Sequence, residues 1–174
     1  SGNLASLTSD GVIIFRYARG KGKVYGGTGL SEAFFEGYDG SGNLLLDGFN
    51  SKYAVKLVEL PKGGRTFRTI ATSNTIEFPG SVQWDGTYLT VFDQLANAFY
   101  RYTISGTKAT LEGTASLSGA VDCAGTWIAQ PYAYCADAGN DNAEVFNYPA
   151  GGSRIASFTG PFDFPIDVVS VRVR

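Results

Sequence analysis

Glycine turns that recur at a nearly constant spacing constrain this sequence more than any other feature. Gly20, Gly63, Gly106 and Gly151 each follow a run of β-forming residues, and they are separated by 43, 43 and 45 residues. Self-similarity at such a period is the signature of a repeat architecture. The segments between these glycines are rich in β-branched and aromatic residues and are bounded by Gly, Asn, Asp or Pro. The spacing therefore predicts four repeats of short strands.

Four short antiparallel strands in each period of this length are typical of the blade of a β-propeller. The sequence predicts an all-β chain that forms one four-bladed β-propeller domain over residues 1–174. The predicted blades are residues 1–28 together with 164–174, then 29–73, 74–117 and 118–163. A β-sandwich would also explain short strands and frequent turns, but it would not explain the repeated order of four strands.

The two ends of the sequence each resemble part of a blade. Residues 1–7 resemble the second strand of the second predicted blade, at 41–46, and residues 164–171 resemble the opening of the third, at 78–82. We therefore expect the C-terminal strand to pair into the first blade and close the ring, which removes bare sheet edges. Two chains that together form one larger ring are the alternative.

The composition excludes several classes of function. The 174 residues include no His, which is the usual general base near neutral pH and the commonest metal ligand. Ser-His-Asp and Cys-His catalytic systems are therefore excluded, as are most zinc sites. The net charge is −2 and no dense basic run occurs, which argues against nucleic-acid binding. No stretch approaches the ~20 apolar residues of a membrane helix. We expect no catalytic residues and no bound cofactor.

The two cysteines, Cys123 and Cys135, are separated by 12 residues. Two cysteines without histidine make a poor metal site, so we predict a disulfide, with two buried free thiols as the alternative. The chain begins at Ser1 and contains no Met, which indicates a processed or an engineered start. We expect an extracytoplasmic protein, periplasmic or secreted, from which a signal or anchor has been removed.

Asp47, Asp93 and Asp137 recur at matching positions, at the end of the same strand in three predicted blades. Carboxylates placed in this way would ring the mouth of a channel and hold a hard cation such as Ca²⁺ through their oxygens. The favoured alternative is that each Asp caps its own turn, because Asp side chains accept hydrogen bonds from nearby backbone N–H groups.

An aromatic segment in the fourth predicted blade exceeds the repeat between its Gly turn and the next strand. Trp127, Tyr132 and Tyr134 lie in or beside it, and the predicted disulfide would pin it. Aromatic side chains on a loop are typical of protein contacts, so these three residues are the predicted partner-binding surface. The alternative is a bulge whose aromatic rings fill space within the blade.

Two segments resemble NHL-type and related bacterial β-propeller repeats. They are residues 136–152, ADAGNDNAEVFNYPAGG, and residues 39–44, DGSGNL. The resemblance implies a binding scaffold, and the acidic or His set that enzymatic relatives carry around a metal has no match here. We therefore predict a non-catalytic binding or scaffolding module, a protein-interaction or accessory subunit of a larger assembly. The alternatives are a ligand or carbohydrate binder that uses exposed aromatics, and a metal-dependent hydrolase-like propeller.

Overall fold

A computed structural model describes residues 2–8 and 11–170 of the chain. Over these residues the secondary structure consists of β-strands and a single short 3-10 turn at Arg16–Ala18, so the all-β prediction is confirmed. The strands form four antiparallel meanders, in which each strand pairs with the next one along the chain. Short connections between sequential strands produce this order, since neighbours in sequence pair most readily.

The first meander comprises β1 (Leu4–Thr8), β2 (Gly11–Phe15) and β3 (Lys23–Tyr25). The second comprises β4 (Glu32–Tyr38), β5 (Leu44–Phe49), β6 (Val55–Leu60) and β7 (Arg68–Thr72). The third comprises β8 (Val82–Trp84), β9 (Leu89–Asp93), β10 (Ala98–Ser105) and β11 (Lys108–Ser118). The fourth comprises β12 (Cys123–Ala129), β13 (Tyr132–Asp137), β14 (Asn142–Asn147) and β16 (Ala156–Thr159). The short β15 (Gly152–Ser153) lies between β14 and β16 in the chain and is not part of this meander.

A parallel contact joins the last strands of the second and third meanders. Lys108 and Ala109 of β11 pair with Ala71 and Thr72 of β7. Because β15 also pairs with β11, hydrogen bonding links the second and third meanders and β15 into one nine-stranded sheet, beside separate sheets of three and four strands.

The hydrophobic core consists of three clusters, one between each pair of successive meanders. Val12 of the first meander packs with Leu44 and Leu46 of the second, whereas Leu45 belongs to the cluster shared with the third. Successive side chains of a strand point to opposite faces, so β5 contributes to two clusters at once. The third cluster joins Phe99 of the third meander to residues of the fourth. The meanders are therefore stacked face to face.

The four glycines of the repeat all have left-handed backbone conformations. Their φ angles are +69° at Gly20, +75° at Gly63, +60° at Gly106 and +68° at Gly151. At Gly106, between β10 and β11, nothing lies within 4 Å of the place a Cβ would occupy. The glycine is therefore required by the backbone conformation rather than by space.

Among the described residues, the predicted pairing of a C-terminal strand into the first blade is not seen. Residues 164–170 form no strand, and the first meander has three strands instead of the four expected in each blade. Part of the reason lies in side-chain hydrogen bonds, since the N–H of Phe164 donates to the carboxylate of Asp141 and the N–H of Val168 donates to that of Asp167. These donors are unavailable to a ladder. Val171, the end of the predicted strand, lies outside the described residues.

Candidate functional site

The three predicted partner-binding residues lie on one face of the hairpin formed by β12 and β13. Trp127 is paired directly opposite Tyr134, and Tyr132 is paired opposite Ala129. Residues directly opposite each other in an antiparallel pair share a face. Trp127 and Tyr132 remain 37% and 38% exposed. The aromatic segment that exceeds the repeat is therefore a longer hairpin, and its rings stand on the side of the sheet that points away from the third meander.

The other face of this hairpin is part of the core. Ile128, Ala133 and Cys135 are at most 4% exposed and belong to the cluster shared with the third meander. Alternation along each strand separates these residues from the aromatic ones. The predicted disulfide is present, and it joins Cys123 of β12 to Cys135 of β13 with their Cα atoms 5.3 Å apart. It therefore ties together the two strands that carry the aromatic face.

The same face continues across the rest of the fourth meander. Val145 of β14 is paired opposite Tyr134, and Phe158 of β16 is paired opposite Ala143. Phe158 is 59% exposed. We call this surface, made of Trp127, Tyr132, Tyr134, Val145 and Phe158, the outward face of the fourth meander. It is apolar, and no other meander is stacked on it among the described residues.

One part of the C-terminal segment crosses the inner edge of the outward face. A Cβ on Gly125 of β12 would lie 2.6 Å from the Cα of Asp167. The same relation holds in the second meander, where a Cβ on Gly37 of β4 would lie 2.0 Å from the carbonyl oxygen of Val82 in β8. Residues 166–167 thus lie over β12 as β8 lies over β4. The sequence likeness of 164–171 to 78–82 is therefore matched by a similar position of residues 166–167, which lie over β12 but form no strand there.

The carboxylates of the three recurring aspartates accept hydrogen bonds from backbone N–H groups. Asp93 accepts hydrogen bonds from the N–H groups of Glu77, Phe78, Leu95 and Ala96, at 2.7 to 3.2 Å. These contacts connect the end of β9 to the segment that leads into β8. They are the turn-capping arrangement that was the favoured alternative.

Asp137 also caps its own turn, through the N–H groups of Gly139 and Asn140, whereas Asp47 accepts N–H groups from Phe35 and Gly80 and caps no turn of its own. Asp137 accepts N–H groups from Val121 and Asp122 at 2.9 and 3.0 Å. Burial alone would raise the pKa of Asp137, but these donors and Asn140 lower it below its usual value. For Asp47, which accepts the N–H of Gly80 at 2.8 Å, burial prevails and raises the pKa well above its usual value.

Among the described residues, one group of potential ligand atoms lies close enough together to share a metal ion, that of Cys135, Asp137 and Glu144. Cys135 is bonded to Cys123, and Asp137 is occupied by backbone N–H groups. Glu144 is paired with Arg154. The three recurring aspartates do not form a group of this kind, so a Ca²⁺ site built on them stays a prediction.

A buried polar network that the sequence does not reveal links the third and fourth meanders. The side chain of Asp85 accepts the hydroxyl of Tyr148 at 2.7 Å, the Nε of Arg101 at 3.0 Å, and the N–H groups of Thr87 and Tyr88. Burial would raise the pKa of Asp85, but the hydrogen bonds, led by that of Tyr148, lower it. The sequence shows Asp85 only as an Asp before Gly86, and nothing in the sequence indicates the partners of its side chain.

A second contact between meanders involves a side-chain amide. Gln83 of β8 donates its Nε2 to the carbonyl oxygen of Ile128 at 2.7 Å and accepts the N–H of Ile128 at 2.9 Å. It lines a cavity of about 300 Å³ with Glu36, Trp127 and Asp167. Burial raises the pKa of Glu36, although a hydrogen bond with the backbone of Leu7 opposes the rise.

Comparison with solved structures identifies the architecture. The chain superposes on regucalcin, a calcium-binding protein from Agrobacterium tumefaciens, with a TM-score of 0.68 and 15% identity over 95% of this chain and 59% of that one. It superposes on a β-propeller of the nidogen/laminin complex with a TM-score of 0.59 and 14% identity over 87% and 56%. The fold is that of a β-propeller. BamB from Moraxella catarrhalis gives a TM-score of 0.49 at 10% identity, over 90% of this chain and 47% of that one.

These likenesses concern the propeller fold alone, because the identities are low. The chain spans 59% of the length of regucalcin and 56% of the nidogen/laminin chain. No protein-family model matches the chain, and no curated protein matches it in sequence. Membership of the NHL family therefore stays a prediction. Among the described residues, no helix is long and apolar enough to span a membrane.

Proposed function

We propose that this chain is a non-catalytic binding module that serves as a protein-interaction or accessory subunit of a larger assembly. Its partner binds the outward face of the fourth meander. The observation that carries the proposal is the exposure of this apolar sheet face, with Phe158 59% and Trp127 37% exposed. Contiguous exposed apolar surface on a folded domain marks interaction sites. Aromatic side chains supply much of the energy of such contacts.

The chemistry of the face favours a protein partner. The three faces by which the meanders stack on one another are apolar and buried, as in Val91, Phe99 and Phe146, which are at most 1% exposed. The outward face is of the same kind but is not covered by a meander. A surface built to be stacked on a sheet is best matched by another apolar protein surface. An extracytoplasmic site of action is supported by the disulfide between Cys123 and Cys135.

A closed ring of four blades is the competing use of this surface. In such a ring the outward face would be covered by the first meander of the same chain, and the C-terminal segment would pair with β1 (Leu4–Thr8). The apolar side chains of the first meander that point away from the second, such as Leu4 and Val24, are 54% and 59% exposed. Within the described residues neither end surface is covered by another meander, which favours a partner outside the chain.

Site-specific photo-cross-linking tests the proposal. A benzophenone amino acid is placed at position 127 or 132, and, as a control, at Tyr17 of the first meander, an aromatic residue that is more exposed, at 58%. Irradiation in an extract of the native source is expected to yield an adduct with a second polypeptide from 127 and 132, but not from 17.

Two results would contradict the proposal. An internal cross-link from position 127 to the first meander would show that the ring closes within one chain. The absence of any protein adduct from 127 and 132, together with binding to a glycan array that Trp127→Ala abolishes, would favour the carbohydrate-binding alternative. A thermal melt of each variant accompanies the experiment, so that loss of fold is distinguished from loss of contact.

A further inference from the structure

A cleft of about 810 Å³ opens inside the second meander, away from the outward face of the fourth. It forms because β6 and β7 separate. Their ladder pairs Glu59 with Arg68 and continues to Leu57 opposite Ile70, where it ends. Beyond this point β7 leaves β6 and pairs with β11 of the third meander instead. The cleft is therefore a gap between two strands that would otherwise be neighbours.

Backbone groups face each other across this gap. The N–H of Ala71 donates a hydrogen bond to the carbonyl oxygen of Thr107 at 2.8 Å. The N–H of Ser73 donates one to the carbonyl oxygen of Ala109 at 3.0 Å. Because successive residues of a strand direct their backbone groups to opposite edges, Thr72 directs its N–H and C=O towards β6.

The same alternation applies on the opposite wall. Ile70, two residues before Thr72, also faces β6, and it is paired with Leu57. Val55 lies two residues before Leu57, so its N–H and C=O face β7. Val55 and Thr72 occupy the place of the next rung of the ladder but are not paired with each other. Backbone donors and acceptors need partners, and since no backbone hydrogen bond joins Val55 to Thr72 within the described part of the chain, an added polypeptide segment could supply them.

Apolar side chains line the gap between these two walls. Ile70 and Ile76 are 2% and 7% exposed, and they lie with Leu57 along the cleft. Tyr53 and Leu95, which also line it, are 79% and 68% exposed. A cleft with buried apolar residues at its base and exposed apolar residues at its mouth can bind a bulky apolar side chain of another molecule.

An aromatic cluster adjoins the cleft at Tyr53. The ring of Tyr53 lies 6.4 Å from that of Phe49, which contacts Phe78 edge-on at 5.4 Å and Phe34 at 5.6 Å. Phe34 and Phe78 are each 39% exposed. This cluster extends the apolar surface beyond the cleft, so a bound segment has a continuous contact outside the gap.

We propose that the cleft binds an extended polypeptide segment of another protein by strand addition. The segment hydrogen-bonds to Val55 on one side and to Thr72 on the other, and it places a bulky apolar side chain near Ile70 and Ile76. Main-chain hydrogen bonds give such complexes their affinity, and side-chain pockets give them specificity. One Lys and one Glu, Lys56 and Glu77, line the cleft, so the binding depends little on salt. This site is separate from the outward face, and either can fail without the other.

Selection from a random-peptide phage library against the whole chain supplies the probe. Val55→Pro removes the N–H that faces the cleft, at the first residue of β6, where proline is tolerated in a strand. Val55→Ala keeps the N–H and is the matched control. The selected peptide is expected to bind at least about tenfold more weakly to the proline variant and about equally to the alanine variant.

Two further measurements do not depend on the folding of a variant. Methylation of a central N–H of the peptide is expected to weaken binding at least about tenfold, whereas methylation at its end is not. Hydrogen exchange of the wild-type chain is expected to show new protection at Val55 and Thr72 when the peptide binds. Trp127→Ala should leave the affinity unchanged, which separates this site from the outward face.

The inference is overturned by any of three results. One is that the library yields no binder. Another is protection confined to residues outside the cleft. The last is an affinity that is indifferent to methylation of the peptide backbone, which would show contact through side chains alone.

Discussion

Removal of the Tyr148 hydroxyl should destabilise the junction between the third and fourth meanders. Tyr148 is 4% exposed, and its hydroxyl donates to Asp85 at 2.7 Å. The side chain of Asp85 is fully buried and also pairs with Arg101 at 3.0 Å. Tyr148→Phe keeps the ring, which packs edge-on against Phe99, and deletes the hydrogen bond alone.

The magnitude follows from the charge of the acceptor. A hydrogen bond to a charged group contributes about 1.5–3 kcal/mol, and Asp85 keeps its bonds to Arg101 and to two backbone N–H groups. We expect the free energy of unfolding to fall by about 2 kcal/mol. For a chain of this length the melting temperature should then fall by about 4–8 °C.

The effect should depend on pH in a defined direction. The folded-state pKa of Asp85 is lowered, so its stabilisation is fully present above the unfolded value of about 3.9 and is lost as the pH falls through the folded pKa. The pKa of Tyr148 is raised, chiefly by burial and then by Asp85, so the hydroxyl remains a donor up to strongly alkaline pH. The difference between wild type and Tyr148→Phe should therefore be constant from about pH 5 to 9 and shrink below about pH 4.

Urea unfolding of both proteins across this pH range measures the difference. Tyr53→Phe is the control, because Tyr53 is 79% exposed and its substitution should change the unfolding free energy by less than about 0.5 kcal/mol. The reasoning is refuted if Tyr148→Phe is no more destabilising than the control. It is equally refuted if the difference does not diminish as the pH falls below the unfolded value of about 3.9.

Substitutions at three other places test separate elements of the structure. Replacing both Cys123 and Cys135 by Ser should lower the free energy of unfolding by about 3 kcal/mol. A reducing agent should lower the unfolding free energy of the wild type by the same amount and leave that of the double variant unchanged. A wild type that is insensitive to reduction would contradict this prediction. Asp93→Asn should lower the free energy of unfolding by about 1–3 kcal/mol, because four backbone N–H groups lose their carboxylate acceptor. Ca²⁺ should leave the melting temperature of the wild type and of the variant unchanged. A Ca²⁺-dependent rise in melting temperature that the substitution abolishes would instead support a metal site. Gly106→Ala should lower the free energy of unfolding, measured in urea, by about 1 kcal/mol, and Gly106→Asn should lower it less. A side chain at this position meets no other atoms, but its residue must adopt a φ of +60°, which Asn tolerates better than Ala. Equal losses for the two variants would exclude this conformational explanation.

The local features of the fold could be predicted from the sequence because they depend on neighbours along the chain. The glycine of each repeated turn is needed for a positive φ, and the position of Gly106 between β10 and β11 follows from the β-forming runs on either side. The turn-capping role of Asp93 is likewise local to one meander. Cys123 and Cys135 lie on strands that the hairpin places side by side, so their disulfide could also be predicted.

The sequence by itself therefore determined the all-β class, the repeated turns, the disulfide and the residues of an aromatic surface. Only the tertiary structure decided which face of the hairpin carries Trp127, because that depends on which side of β12 the third meander covers. It also decided that residues 166–167 lie over Gly125 without forming a strand, and that the hydroxyl of Tyr148 donates to Asp85, which is 63 residues away in the chain. The physical reason is that periodicity records what each strand needs from its neighbours in the chain. Contacts between stacked sheets depend on how the sheets are placed, and no local pattern encodes that placement.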